Sequence, residues 1–119
     1  MEIYPIVAIV DDDPSVRRGL KRLLQTQGWG VCTYTSAEEF LDRSPSLKVD
    51  IALVDIYLPG LSGIELLKRL ESEGGGPLVI LMTAHGENET GDALFAGGRP
   101  SCLRKPFTLQ QLLDAMLTA

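Results

Sequence analysis

The chain has 119 residues, 45% of them hydrophobic and 23% charged, with a formal net charge of −5. That length suits one domain spanning residues 1–119 with a proper core, and the acidic balance argues against nucleic-acid binding by this domain. No apolar run is long enough for a membrane span and no signal-peptide pattern opens the chain, so a cytoplasmic protein without a membrane partner is expected.

Ile6 to Val10 is an apolar run and reads as the first strand. Asp11-Asp12-Asp13-Pro14 follows at once. Pro14 suits the first turn of a helix with Asp13 as its N-cap, which accounts for one acid and not for three. Two adjacent carboxylates at a strand end, near a third from another strand, make a hard-cation site of the kind Mg²⁺ takes, completed by water and phosphate. Val16, Leu20, Leu23 and Leu24 recur at helical spacing up to Gln27. Arg17, Arg18, Lys21 and Arg22 form a basic outer face, read as solvated. Gly28 ends this helix, and Trp29 reads as a packing residue. Val31 to Tyr34 is a short second strand. Ser36-Ala37-Glu38-Glu39 reads as a capping box that opens a short helix through Phe40 and Leu41.

Asp50 to Asp55 is the third strand, apolar throughout its middle and closed by a single carboxylate before Pro59-Gly60. A run this apolar is best buried on both faces, as in the centre of a parallel sheet. Ser62 to Glu73 is the third helix, with Ile64, Leu67 and Leu70 inward, and the glycines from Gly74 to Gly76 stop it. Leu78 to Met82 is the fourth strand, followed by Thr83, whose hydroxyl can donate to a ligand oxygen. Glu87 to Gly98 is expected to be a weak fourth helical segment because Gly91, Gly97 and Gly98 lower its propensity. Ser101 to Arg104 is a brief fifth strand, closed by Lys105-Pro106-Phe107. Thr108 to Leu117 is the last helix, with Leu109, Leu112, Leu113 and Met116 inward. Cys32 and Cys102 read as small buried thiols in a reducing compartment, not as a disulfide or a metal knuckle.

Strands alternating with helices through short loops predict an α/β fold, a five-stranded parallel sheet covered by helices on both faces. The acids, Thr83 and Lys105 each follow a strand and therefore converge on one edge of the sheet, where open α/β folds place their chemistry.

With those residues placed, the chain resembles the response-regulator receiver domains of two-component signalling, nearly end to end. The motifs that carry the resemblance are Ile9-Val10-Asp11-Asp12-Asp13-Pro14, Val54-Asp55-Ile56-Tyr57-Leu58-Pro59-Gly60, Met82-Thr83-Ala84 and Lys105-Pro106-Phe107. The segment Thr83 to Gly86 with the Lys-Pro-Phe ending is most similar to receivers of regulators that carry a helix-turn-helix output. The resemblance implies a flavodoxin-like doubly wound fold with Asp55 as phosphoacceptor. It implies Mg²⁺ held by Asp12 directly, by Asp11 through water, by Asp55 and by the carbonyl of Tyr57. It also implies that Thr83 contacts a phosphoryl oxygen and that Lys105 pairs with the phosphoryl group. Implied partners are a sensor histidine kinase or phosphotransfer protein and an output domain or downstream protein. A phosphorylation-dependent homodimer is compatible with the same resemblance. The protein is then a switch that assists its own phosphorylation and dephosphorylation, not an enzyme acting on a separate substrate.

Two features depart from the family pattern. Most receivers have an aromatic residue three positions before the lysine, and here it is Cys102. The glycine-rich segment before it lies where receivers usually change on phosphorylation, so either another surface carries the output or phosphorylation orders this segment, and the ordering is the expectation taken forward. Two other readings fit parts of the pattern. One is a haloacid-dehalogenase-like phosphatase using Asp11 as nucleophile, for which the chain is too small to carry a cap. The other is a non-phosphorylated interaction module, which usually lacks the acceptor or the lysine.

Overall fold

The computed structural model describes residues 5–43, 49–74, 76–83 and 101–117. Its strands are β1 (Ile6–Val10), β2 (Gly30–Tyr34), β3 (Ile51–Asp55), β4 (Leu78–Thr83) and β5 (Ser101–Arg104). Its helices are α1 (Pro14–Thr26), α2 (Ala37–Arg43), α3 (Gly63–Glu73) and α4 (Leu109–Leu117). The segment expected as a further helix over Glu87 to Gly98, and His85 before it, lie outside the described residues.

The five strands form one parallel sheet in the order β2-β1-β3-β4-β5. The central strands are buried almost end to end, as their unbroken apolar runs demand. Alternation divides their side chains between two layers. Ala8, Val10, Ala52, Val54, Val79 and Leu81 face Phe40 of α2 and Leu66, Leu67 and Leu70 of α3. Val7, Ile9, Ile51, Leu53, Ile80 and Met82 face Leu20 and Leu24 of α1 and Leu112 and Met116 of α4. The fold is therefore doubly wound, with α1 and α4 on one face and α2 and α3 on the other. No described helix is long and apolar enough to cross a membrane.

The helix starts and faces have local causes. Helix α1 begins at Pro14, as the sequence predicts, because the Asp13 side chain accepts from the Ser15 amide and Pro14 needs no donor partner at the first turn. In α3 the fully buried face is Leu66, Leu67 and Leu70, while Ile64 is only partly covered. Ser62 caps α3 in a reciprocal box with Glu65, a device that the sequence offered at Ser36 as well. At α2 the box is shifted by one residue. The Glu39 amide donates to Ser36 Oγ, but the Glu39 carboxylate reaches the Thr35 amide, at 2.7 Å. Cys102 is buried, Cys32 is half-buried and both thiols are free.

Candidate functional site

The strand order reverses direction between β1 and β3, so the crevice at their carboxyl ends is the natural ligand position in this fold. The register Val10↔Val54 brings Asp11 and Asp55 side by side there.

Asp11 is fully buried, and the structure compensates it thoroughly. Its amide donates to the Tyr34 carbonyl at 3.1 Å. Its Oδ1 accepts from the Asp13 amide at 2.9 Å and its Oδ2 from Lys105 Nζ at 2.8 Å. Its carbonyl accepts from Arg17 Nη1 at 2.8 Å. Asp12 is exposed, and Asp13 turns away to cap α1. Three consecutive acids thus take three different environments.

Asp55 closes β3. Its Oδ1 accepts from the Tyr57 amide at 3.1 Å, and its Oδ2 lies 3.6 Å from Lys105 Nζ. One carboxylate oxygen from each of Asp11, Asp12 and Asp55 lies within 4.8 Å of the other two. Burial raises the Asp55 pKa above the usual carboxylate value. Lys105 and the Tyr57 amide oppose that shift, while the charges of Asp11 and Asp12 reinforce it. Burial works against the charge on Lys105, but the hydrogen bond to Asp11 and the charge of Asp55 outweigh it, and its pKa is raised. Three clustered carboxylates with no thiolate or imidazole among them form a hard oxygen donor set, which suits Mg²⁺ rather than zinc.

The loop after Asp55 is shaped by Gly63. The Gly63 amide donates to the Ile56 carbonyl at 2.9 Å. A Cβ at this position would collide with the Asp55 carbonyl oxygen, and would lie 2.9 Å from both Asp55 C and Ile56 Cα. Only glycine lets the first turn of α3 press this closely on the backbone that carries the acid. An open cleft of about 530 Å³ lies alongside, lined by Asp12, Ile56, Tyr57, Leu58, Pro59, Ser62 and Ile64. The Tyr57 side chain is 48% exposed.

Thr83 ends β4, one residue beyond Met82, the register partner of Asp55. Its side chain is fully buried, and its carbonyl accepts from the Lys105 amide at 2.8 Å. The Lys105–Pro106 peptide is cis. The structure therefore gathers Asp11, Asp12, Asp55 and Lys105 into one cluster, with Thr83 at the adjoining strand end and Tyr57 on the adjoining loop.

Three contributors escaped the sequence reading. Arg17 was placed on a solvated basic face, yet it is half-buried and binds the Asp11 carbonyl. Its position four residues after Asp13, one turn into the helix, was the available signal. Gly63 carried a signal too, as a glycine one residue past an N-cap serine. Glu38 was read as part of a local cap, but it binds the Leu61 amide at 2.8 Å, 23 residues away.

Comparisons with known proteins agree with this geometry. A sequence profile described as "Response regulator receiver domain" matches residues 7–117. The transcriptional regulatory protein FixJ of Azorhizobium caulinodans is 40% identical over 110 residues, which cover 92% of this chain and 52% of FixJ. A receiver domain protein from Clostridium thermocellum superposes with a TM-score of 0.85 at 28% identity, covering 96% of this chain and 92% of that one. A receiver protein from Burkholderia phymatum gives a TM-score of 0.81 at 39% identity, covering 96% and 93%. The chain spans about half the length of the curated FixJ relatives it matches, 52% and 49%. Fold, acidic cluster and sequence agree: the chain belongs to the response regulator receiver domain family.

Proposed function

We propose that this receiver is a phosphoacceptor switch of two-component signalling in which Asp55 takes a phosphoryl group from the phosphohistidine of a sensor kinase or phosphotransfer protein, or from a small acyl phosphate. The observation that carries the reading is the contrast between two acids sharing Lys105. The Asp55 side chain is 13% exposed and beside a cleft, whereas that of Asp11 is 0% exposed with both oxygens engaged. Of these two acids, Asp55 is the one a donor can reach. The same contrast disfavours the phosphatase alternative, which needs Asp11 as nucleophile.

An oxygen of Asp55 attacks phosphorus, and the bond from phosphorus to the donor's nitrogen or oxygen breaks. The donor keeps the electron pair. The product is an acyl phosphate on Asp55. Water later attacks phosphorus and loses a proton, releasing orthophosphate and regenerating the carboxylate. Asp12 would hold Mg²⁺ directly, Asp11 through water, with Asp55 and the Tyr57 carbonyl completing the protein ligands. Bound Mg²⁺ supplies neutralisation of the charge on the transferring group, the main requirement of phosphoryl transfer. Lys105, 2.8 Å from Asp11 and 3.6 Å from Asp55, would pair with the phosphoryl oxygens. The Thr83 hydroxyl would contact another, linking the site to the segment that follows β4. The relatives are named as transcriptional regulators, so the partner downstream is proposed to be an output domain or protein that controls transcription. A phosphorylation-dependent homodimer of the receiver is one form that coupling takes in this proposal, and the setting is the cytoplasm.

Calorimetric titration of Mg²⁺ into the parent and Asp12→Ala proteins, with acetyl phosphate labelling of each, tests the assignment. Mg²⁺ binding and labelling are expected in the parent and strongly reduced in the variant. Full binding and labelling in Asp12→Ala would overturn it.

A further inference from the structure

We propose that Glu38 is a positioning residue for the phosphoacceptor loop: from α2 it tethers the Pro59-Gly60 turn and so sets the placement of the Tyr57 carbonyl at the metal site. This inference rests on the site reading above and adds a residue that lies on a different element.

The two adjacent acids of α2 do different work. Glu39 is used locally, its carboxylate accepting from the Thr35 amide and its own amide donating to Ser36 Oγ. Glu38 turns the other way, and its Oε2 accepts from the Leu61 amide at 2.8 Å. That hydrogen bond is the leading cause that lowers the Glu38 pKa below the usual carboxylate value. The turn is built to receive the carboxylate. Gly60 has φ +76°, and a Cβ there would lie 2.5 Å from Oε2 and 3.3 Å from Cδ of Glu38. Any other residue at 60 would strain the backbone and evict the carboxylate together.

The loop is also held at its start, where the Ile56 amide donates to the Met82 carbonyl of β4 at 2.9 Å, and by bonds from its own flanks. The Tyr57 amide is bound to Asp55 Oδ1, that of Ser62 to Glu65 Oε1, and that of Gly63 to the Ile56 carbonyl. Leu61 is held from α2, by the Glu38 carboxylate. The layering explains how Glu38 reaches it: α2 and α3 share one face of the sheet, with Phe40, Leu58 and Leu66 in one cluster. The loop after Asp55 thus runs past the exposed edge of α2. Without the tether, residues 58–61 gain freedom, and of these two restraints only the Tyr57 amide bond to Asp55 still holds the carbonyl at 57 relative to the acids.

The test uses Glu38→Ala and Glu38→Gln in the full chain. Hydrogen exchange of the Leu61 amide without metal is expected to accelerate at least ~10-fold in Glu38→Ala. Mg²⁺ affinity by calorimetry is expected to fall roughly 3- to 10-fold, at or below the 10- to 100-fold typical of direct outer-shell partners of a metal. At saturating Mg²⁺ the labelling rate should return to near that of the parent. Glu38→Gln keeps an acceptor oxygen and should restore most of both properties. A merely structural glutamate would lower the thermal midpoint and leave Mg²⁺ affinity unchanged, and that result overturns the inference. Fast Leu61 exchange already present in the parent overturns it too. If the parent neither binds Mg²⁺ nor is labelled, the site reading itself fails. The Leu61 exchange, read without metal, keeps that failure distinguishable from loss of the tether.

Discussion

Replacing Gly63 with alanine sets two effects of known size against each other. In a helix, glycine to alanine stabilises by roughly 0.5–1 kcal/mol through backbone entropy. At Gly63 the added Cβ would meet Asp55 C and Ile56 Cα at 2.9 Å, and the Asp55 carbonyl oxygen more closely still. All three are backbone atoms and cannot rotate aside, so the overpacking cost of about 1–3 kcal/mol applies in full. The two ranges leave a loss of roughly 0–2.5 kcal/mol, centred on about 1 kcal/mol, which for a chain this size lowers the thermal midpoint by about 3–6 °C at the centre of the range. Gly19 in α1 is the internal control, because a Cβ there meets nothing within 4 Å. Gly19→Ala should raise the midpoint by roughly 2–5 °C. Thermal melts followed by circular dichroism decide between them. Gly63→Ala should also weaken Mg²⁺ binding, since the displaced backbone carries Asp55, whereas Gly19→Ala should not. A midpoint for Gly63→Ala at or above that of the parent would refute the close-approach argument.

Asp55→Asn should raise metal-free stability at neutral pH. The folded pKa of Asp55 is raised, mainly by burial, so its contribution to folding is most favourable below the unfolded pKa and is lost as pH rises through the folded value. The gain from Asn should therefore be clear at about pH 7 and shrink towards about pH 4, where unfolded Asp begins to protonate; an equal gain at both would contradict the shift. Lys105→Ala should keep the fold yet cost about 1–3 kcal/mol in urea unfolding, because Asp11 Oδ2 loses its 2.8 Å partner while Oδ1 keeps the Asp13 amide. It should also abolish phosphorylation-dependent signalling, and normal signalling would refute the assigned role. Tyr57→Ala should change the dephosphorylation rate with little effect on stability, since the side chain is 48% exposed beside the cleft. An unchanged decay rate would remove Tyr57 from any part in guiding water.

What the sequence made legible was what short spacing encodes. The apolar runs from Ile6 to Val10, Ile51 to Val54 and Leu78 to Met82 specify buried parallel strands, and a residue following such a strand must lie at the carboxyl edge. That argument collected Asp11, Asp12, Asp55 and Thr83, and the brief strand Ser101–Arg104 added Lys105. Asp13 was separated from its neighbours by Pro14, a local signal that the structure bears out. What stayed hidden depends on which elements share a face. The capping-box spacing from Ser36 gives Glu39 a local role, but no spacing gives Glu38 a partner, and its bond to Leu61 follows from α2 lying beside the loop into α3. Arg17 looked like one more charge on a basic helix, and only the turn geometry at Asp13 brings its guanidinium onto the Asp11 carbonyl. Leu66 and Ile64 both fit a helical stripe, and the structure buries Leu66 in the cluster with Phe40 and Leu58 while Ile64 packs only partly against it. The consequence of Cys102 for switching concerns the segment after Thr83, which lies outside the described residues.

The central claim is that Asp55 accepts a phosphoryl group in a Mg²⁺-dependent reaction. Incubation with acetyl phosphate, followed by chemical trapping of the acyl phosphate and peptide mapping by mass spectrometry, tests it most directly. The expected result is a single modified carboxylate at Asp55 with Mg²⁺ present, lost on chelation and absent from Asp55→Asn. Modification at Asp11 or Asp12, or labelling of Asp55 that persists without metal, would contradict the account.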